Sequence, residues 1–350
     1  MELLSKTDGQ QSHSPVRKTS GRPATEPVQP NIFNVVLGNV QIKPWFPSFY
    51  PEELVTPPTE RLLVCQWCFK YSKEIFPYLT HTKVCPLRNG PPPGTKIYSK
   101  GRYTLHELDG EVDKLYAQNL SLFAKLFLDT KSVFYDVTTF LYYLLIMETP
   151  SSDGNGTSPQ VVGFFSKEKM SWDNNNLACI LVFPPWQRQG LGQVLMSVSY
   201  ELSKREGRLG GPEKRMLYLY LGRYAVHLLK LLAALSTLGR LAYTNFWAQT
   251  LARVMLARHV PTPQSHQKNP PTTVRELSDI TYIVPEDIVT TLQSMNLLDH
   301  KKRAGKEQAV IDKVKVRAWA EQNGFKAEAP IDLTGFIDTG RETAIPSVED

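Results

Sequence analysis

The chain has 350 residues, 41% of them apolar, with a formal net charge of +6 and a pI near 9.0. That length supports one large composite domain or two small ones with a sizeable core, and the basic balance favours an acidic partner such as DNA, a nucleosome face or an anionic cofactor. Four cysteines are too few for a disulfide scaffold, and no basic start leads into an apolar run, so no signal peptide is expected and a reducing compartment is.

Residues 1–30 are rich in Ser, Pro, Gln and Thr without hydrophobic periodicity and are expected to form a disordered tail. Ile32 to Leu54 read as a strand leading into an aromatic, Pro-bounded turn at Trp45-Phe-Pro-Ser-Phe-Tyr-Pro. A Cys/His cluster follows at residues 65–85, and Ile97 to Leu108 read as a strand pair. Leu120, Phe123, Leu126, Phe127 and Leu128 recur at helical spacing between Asn119 and Asp129. Three apolar runs, Ser132 to Val137, Phe140 to Met147 and Val161 to Phe165, predict antiparallel strands of a central sheet, with a turn at Ser151-Ser-Asp-Gly-Asn-Gly.

Leu177 to Phe183 is apolar throughout and predicts a strand buried on both faces. Pro184-Pro-Trp-Gln-Arg-Gln-Gly-Leu-Gly then leads into a helix with Val194, Leu195, Val198 and Leu202 on one face. Met216 to Leu235 has about the ~20-residue length of a membrane span. Arg223, His227 and Lys230 in its middle make that reading costly in lipid, and no membrane contact is expected. The last hundred residues read as mixed and helical. Ser278 to Leu292 predicts a strand, a turn and a helix that starts at Pro285, with Glu286 and Asp287 at its positive end.

Three features carry chemistry. In Cys65-x2-Cys68-x12-His81-x3-Cys85, two thiolates share a tight knuckle while a histidine and a third thiolate lie one helical turn apart. Such a set closes a tetrahedron on zinc, and with all four ligands from protein its role is structural. The loop Gln187-Arg188-Gln189-Gly190-Leu191-Gly192 before a helix offers open backbone N–H groups where a pyrophosphate would sit, although an ordinary glycine turn reads the same way. Cys179, just before that loop, could face a bound thioester or be a small buried hydrophobe. From composition alone, Glu213 reads as a solvated loop glutamate and Lys131 as a surface lysine at a strand start.

The Cys/His pattern occurs together with Ala117-Gln-Asn-Leu-Ser-Leu-Phe-Ala-Lys-Leu-Phe-Leu-Asp, Val133-Phe-Tyr-Asp-Val, Gly163-Phe-Phe-Ser-Lys-Glu-Lys, Asn176-Leu-Ala-Cys-Ile-Leu, the Gln187 loop, Ser199-Tyr-Glu-Leu-Ser-Lys-Arg-Glu-Gly and Gly211-Pro-Glu-Lys. In that order these segments strongly resemble the MYST histone acetyltransferases, from about residue 32 to about residue 300. The resemblance implies an α/β fold. A GNAT-like core binding acetyl-CoA would span residues 116–214, after an N-terminal part with a C2HC zinc finger at 31–115, and before a helix-turn-helix-like part at 234–300 and an extension at 301–350. No chromodomain or PHD pattern is recognisable, and within the family the chain looks most like the fungal silencing-type branch that works in a SAS complex. Implied partners are histone tails, histone H4 above all, nucleosomes and SAS-type subunits, in the nucleus, without sequence-specific DNA binding.

Matched motif by motif, Glu213 corresponds to the family's general base, Cys179 to its active-site cysteine and Lys131 to its autoacetylated lysine. Cys179, Ile180, Leu181 and Val182, with Arg188, Gln189, Gly190, Leu191, Gly192 and Gln193, correspond to the acetyl-CoA site, and Ser236 to a further cofactor contact. A lysine amine with a pKa near ~10.4 must shed a proton before attacking a thioester, which Glu213 would accept. Cys179 could instead take the acetyl group covalently, but direct attack is the expected route because no basic partner for the thiol is visible in the sequence. The chain departs from the family at 215–233, an insertion read as translated intron or a lineage-specific addition outside the catalytic fold. The competing reading is a zinc-finger and helix-turn-helix module that binds nucleic acid or chromatin, its catalysis lost through the insertion.

Overall fold

A computed structural model describes residues 30–56, 58–88, 90–150, 157–213, 236–257, 273–303, 306–311 and 313–338. The N-terminal tail up to residue 29, the 151–156 turn and the 215–233 insertion lie outside the described residues, as does the apolar stretch from Met216 to Leu235.

In β1 (Ile32–Leu37), Val35 and Leu37 share one buried face, and Ile32 is buried at the start of the strand. This strand pairs antiparallel with β2 (Val40–Ile42) and parallel with β3 (Thr59–Val64), and β3 carries the short β4 (Tyr71–Ser72) on its other side. Helix α1 (Ile75–Val84) follows and brings His81 back toward the end of β3. The connection between β2 and β3 crosses to the next layer, where the Trp45 and Phe46 amides both donate to the Leu126 carbonyl at 2.9 and 3.0 Å.

The central sheet is antiparallel throughout, in the order β5 (Thr95–Lys100), β6 (Tyr103–Asp109), β7 (Phe140–Pro150), β8 (Thr157–Glu168), β9 (Cys179–Val182). Its middle strands are apolar on both faces because both faces are covered. Tyr142, Leu144 and Ile146 pack toward α2 (Lys114–Lys125) and the N-terminal sheet, while Tyr143, Leu145 and Met147 pack toward α3 (Leu191–Arg205) and α4 (Thr237–Leu256). Helix α2 is buried almost all round, from Tyr116 to Lys125. A register shift at Leu145/Ile146 bends β7 against β8 beside Gly163. A Cβ on Gly163 would meet the Leu181 carbonyl at 2.7 Å, so only glycine lets β9 lie this close.

In the C-terminal part, a Thr273/Glu276 capping box starts α5 (Val274–Thr281) and Tyr282 ends it in the left-handed region. Helix α6 (Pro285–Ser294) begins on Pro285, as predicted. The hairpin of β10 (Leu298–Arg303) and β11 (Lys306–Ile311) leads to α7 (Lys313–Gln322), and the Ile337 amide donates to the Ile97 carbonyl at 2.9 Å, covering the β5 edge.

Three predicted elements differ. Ser132 to Val137 is an irregular segment rather than a strand, held by side-chain contacts such as Gln118 Nε2 donating to the Tyr135 carbonyl at 2.8 Å. Strand β9 is shorter than Leu177 to Phe183 and is not buried on both faces, because it is the sheet's edge and one side lines a cavity. Ser278 to Thr281 ends a helix rather than forming a strand, since the capping box upstream starts a helix that runs through them. Among the described residues no helix is long and apolar enough to cross a membrane.

Candidate active site and metal centre

The knuckle begins where β3 ends. The Cys65 amide donates to the Lys70 carbonyl at 2.8 Å and the Phe69 amide to the Cys65 carbonyl at 2.9 Å, with Phe69 itself at φ 59°. This turn sets Cys65 and Cys68 side by side, and α1 returns His81 and Cys85, so that all four ligand atoms lie within 4.8 Å of one another. Cys65 Sγ is 3.9 Å from Cys85 Sγ and Cys68 Sγ 3.2 Å from His81 Nε2. A tetrahedron with Zn–S bonds of ~2.3 Å has edges of about 3.8 Å, so small shifts of these side chains let the Cys3His set close on zinc. The Cys65 thiol is lowered to about 5, first by its hydrogen bond with Cys68, and the same bond pushes Cys68 up. The knuckle is anchored to α2 and the end of β9 through Phe69, fully buried, whose ring centroid lies 5.5 Å from that of Phe123 and 5.8 Å from that of Phe183.

A cavity of about 640 Å³ opens along the free edge of β9. Cys179, Ile180, Leu181 and Val182 form one wall, and Arg188, Gly190, Leu191 and Gly192 another. Lys131, Glu213 and Ser236 reach it from three further segments, whereas Gln189 and Gln193 are not on its walls. Gln187 Nε2 donates to the Val182 carbonyl at 2.8 Å and ties the loop to the strand. Just before α3 begins, where the first N–H groups of a helix have no partner within it, Arg188 and Gly190 both take positive φ, 60° and 82°. Gly190 takes it freely, while Arg188 is held there at some strain, as residues beside ligand sites often are.

Cys179 Sγ is 3.1 Å from Ser166 Oγ on β8 and 3.8 Å from Lys131 Nζ. A basic partner for the thiol therefore exists, contrary to the expectation from sequence. Lys131 is half-buried rather than a surface lysine, because the irregular segment after α2 turns inward where a strand was predicted. Glu213 is half-buried as well. Its amide donates to the Leu177 carbonyl at 2.8 Å, Leu177 bridges Pro212, and the Gly211 carbonyl accepts from the Asn176 amide at 2.9 Å. On its other side this segment bridges Ile283 at Gly210, so β9's leading residues and the C-terminal part together fix the glutamate at the cavity.

Residues 29–85 match the MYST family zinc finger domain, and residues 91–334 match the MOZ/SAS family. The chain belongs to the MOZ/SAS family. Histone acetyltransferase MOF of Drosophila melanogaster is 40% identical over 265 residues, covering 76% of this chain and 28% of that protein. Putative MYST-like histone acetyltransferase 1 of Oryza sativa subsp. japonica is 38% identical over 272 residues, 78% of this chain and 52% of the relative. The histone acetyltransferase Tip60 homolog of Caenorhabditis elegans is 37% identical with the same coverage. The chain thus spans about half or less of the length of these curated relatives.

The MOZ/SAS match takes in the Lys131 segment, β9, the glycine loop and Glu213, and the zinc-finger match ends on Cys85, the fourth ligand. In this MOZ/SAS chain the sequence reading missed Trp45 and Phe46, which line the cavity from the N-terminal part, and Ser166, which touches the thiol. The aromatic turn at Trp45 was visible as a signal for packing, but nothing in it says against what.

Proposed function

We propose that this chain is a histone acetyltransferase that moves the acetyl group of acetyl-CoA to a lysine of a core histone tail, that of histone H4 in particular. One observation carries the reading: a thiol-bearing edge strand, a glycine-opened helix start and a half-buried glutamate face a single cavity. The N–H groups of Leu191 and Gly192 at the start of α3 suit the pyrophosphate. The free edge of β9 suits the pantetheine arm and brings the thioester carbon to Cys179, where backbone N–H groups meet the charge that develops on its oxygen. Glu213 takes one proton of the incoming ammonium, the new C–N bond forms and the C–S bond breaks, and the proton that the nitrogen then sheds goes to the departing sulfur, so that coenzyme A leaves as its thiol. Zinc held by Cys65, Cys68, His81 and Cys85 closes the knuckle and stays outside the chemistry.

A second route, in which Cys179 first accepts the acetyl group, is favoured by the Lys131 amine 3.8 Å from its sulfur. That proximity equally suits Lys131 as the chain's own acetylated lysine. Nuclear residence, chromatin silencing and a SAS-type complex follow from the resemblance of the silencing branch, and MOF and Tip60 among the relatives leave the subtype to experiment. Incubating the chain with labelled acetyl-CoA and nucleosomes tests the core of the proposal. Label on a histone H4 lysine is expected, and cofactor binding without transfer to any histone would favour a chromatin-binding scaffold. Cys179→Ala is expected to keep much of the activity. A dead Cys179→Ala variant that still binds acetyl-CoA would instead establish the covalent route.

A further inference from the structure

We infer that Lys125, a buried lysine that does not line the cavity, is the positioning residue for the wall that carries Lys131. The inference rests on the acetyltransferase reading for its functional consequence, though not for its geometry. Lysine is almost never fully buried unless its charge is met. Lys125 is 5% exposed. It is the last residue of α2, and its Nζ donates to the carbonyls of Leu128 at 3.3 Å and Asp129 at 2.9 Å, just past the helix's negative end. The same ammonium sits 5.9 Å from the ring centroid of Phe46 and 5.8 Å from that of Phe49, within cation–π range.

One side chain therefore joins two segments far apart in sequence. Trp45 and Phe46 come from the N-terminal part, Leu128 to Lys131 from the turn after α2, and both segments line the cavity. Two residues after the second carbonyl that Lys125 holds comes Lys131, whose Nζ stands 3.8 Å from Cys179 Sγ. An apolar side chain at 125 would fill the same space but leave two carbonyls without this donor and two rings without their cation. The turn would then be free to swing, and Lys131 with it.

The test uses the full chain with Lys125→Met, Lys125→Arg and Val35→Ala, the last a core truncation in β1 that serves as a stability control. The readouts are Tm, acetyl-CoA affinity by calorimetry, kcat and KM on a histone H4 peptide, Lys131 acetylation by mass spectrometry, and amide exchange of residues 126–133. Lys125→Met is expected to lower kcat and the rate of Lys131 acetylation by on the order of tenfold to a hundredfold, as a misplacement of ~1 Å would, with acetyl-CoA affinity unchanged. Amide exchange at 128–131 speeds up, Lys125→Arg recovers most of the loss, and Val35→Ala lowers Tm alone. Wild-type kcat and exchange in Lys125→Met, or an equal kcat loss in Val35→Ala, overturn the inference. Should Lys125→Met fail to fold, Phe46→Leu decides by the same readouts, and unchanged kcat and exchange there overturn it. If the unsubstituted chain transfers no acetyl group, the functional reading fails separately, and unchanged exchange at 128–131 in Lys125→Met still refutes the positioning role.

Discussion

Glu213 owes its place to backbone pairing, since its amide is fixed by the Leu177 carbonyl and its neighbour Pro212 bridges the same residue. A carboxylate held there is useful while the acceptor amine is protonated, and loses its advantage as pH approaches the amine's own pKa of ~10.4. Glu213→Gln should therefore depress acetyl transfer strongly at neutral pH and recover part of it in alkaline solution. A pH–rate profile of the variant parallel to that of the parent chain would contradict the role. His106 on β6 makes a separate prediction about stability. It is 4% exposed, and burial pushes its pKa below the ordinary value of 6.5, partly opposed by the Pro92 and Pro93 carbonyls at 3.0 and 3.3 Å. The unfolded chain then binds the proton more readily than the folded one, so stability is fully present above about pH 6.5 and is lost as pH falls below it. Denaturant titrations from about pH 7 down to pH 5 should show a smaller decline for His106→Gln than for the parent, and equal slopes would remove His106 from the account. At this scale sequence was legible where ligands are close in the chain, as in Cys65, Cys68, His81 and Cys85. Lys131 and Cys179 are 48 positions apart, and their contact depends on a turn that no periodicity announces.

At the scale of elements, apolar runs gave β7 and β8 and helical spacing gave α3, because each packs apolar side chains against its neighbours. They failed where an apolar run is not evidence of pairing. Val133, Phe134 and Val137 are partly or wholly buried by packing beneath the N-terminal part, yet the segment makes no ladder. The all-apolar text of β9 suggested burial on two faces, whereas its outer side lines the cavity. Gly163 links these observations to a measurement. Gly163→Val would press a Cβ to within 2.7 Å of the Leu181 carbonyl and push β9 off β8. A stability loss of about 1–3 kcal/mol, with weaker acetyl-CoA binding, is expected from denaturant unfolding and calorimetry. Unaltered cofactor affinity in a destabilised variant would separate the strand's placement from the cavity.

For the whole molecule, Glu213 and Ser236, the described residues on either side of the 215–233 segment, line one cavity. Joining Lys214 to Ala234 is expected to raise both soluble yield and acetyl transfer. A deletion variant that does not fold, or is slower than the full chain, would make the segment a working part of the protein. The composite order of zinc knuckle, sheet and helical C-terminal part was legible from linked motifs, but the layer contacts were not, because they depend on single rings. Phe69 is the case in point, sitting inside the knuckle and touching both Phe123 on α2 and Phe183, the residue after β9. Under the proposed function this contact would make zinc and acetyl-CoA linked ligands, each stabilising the surface on which the other rests. Cys65→Ser should lower the melting temperature and, through Phe183, loosen the cofactor's grip without removing any cofactor contact. The reciprocal effect is a kinetic one: saturating acetyl-CoA should slow the extraction of zinc by a chelator, making the metal's release rate a gauge of occupancy in a cavity it never touches.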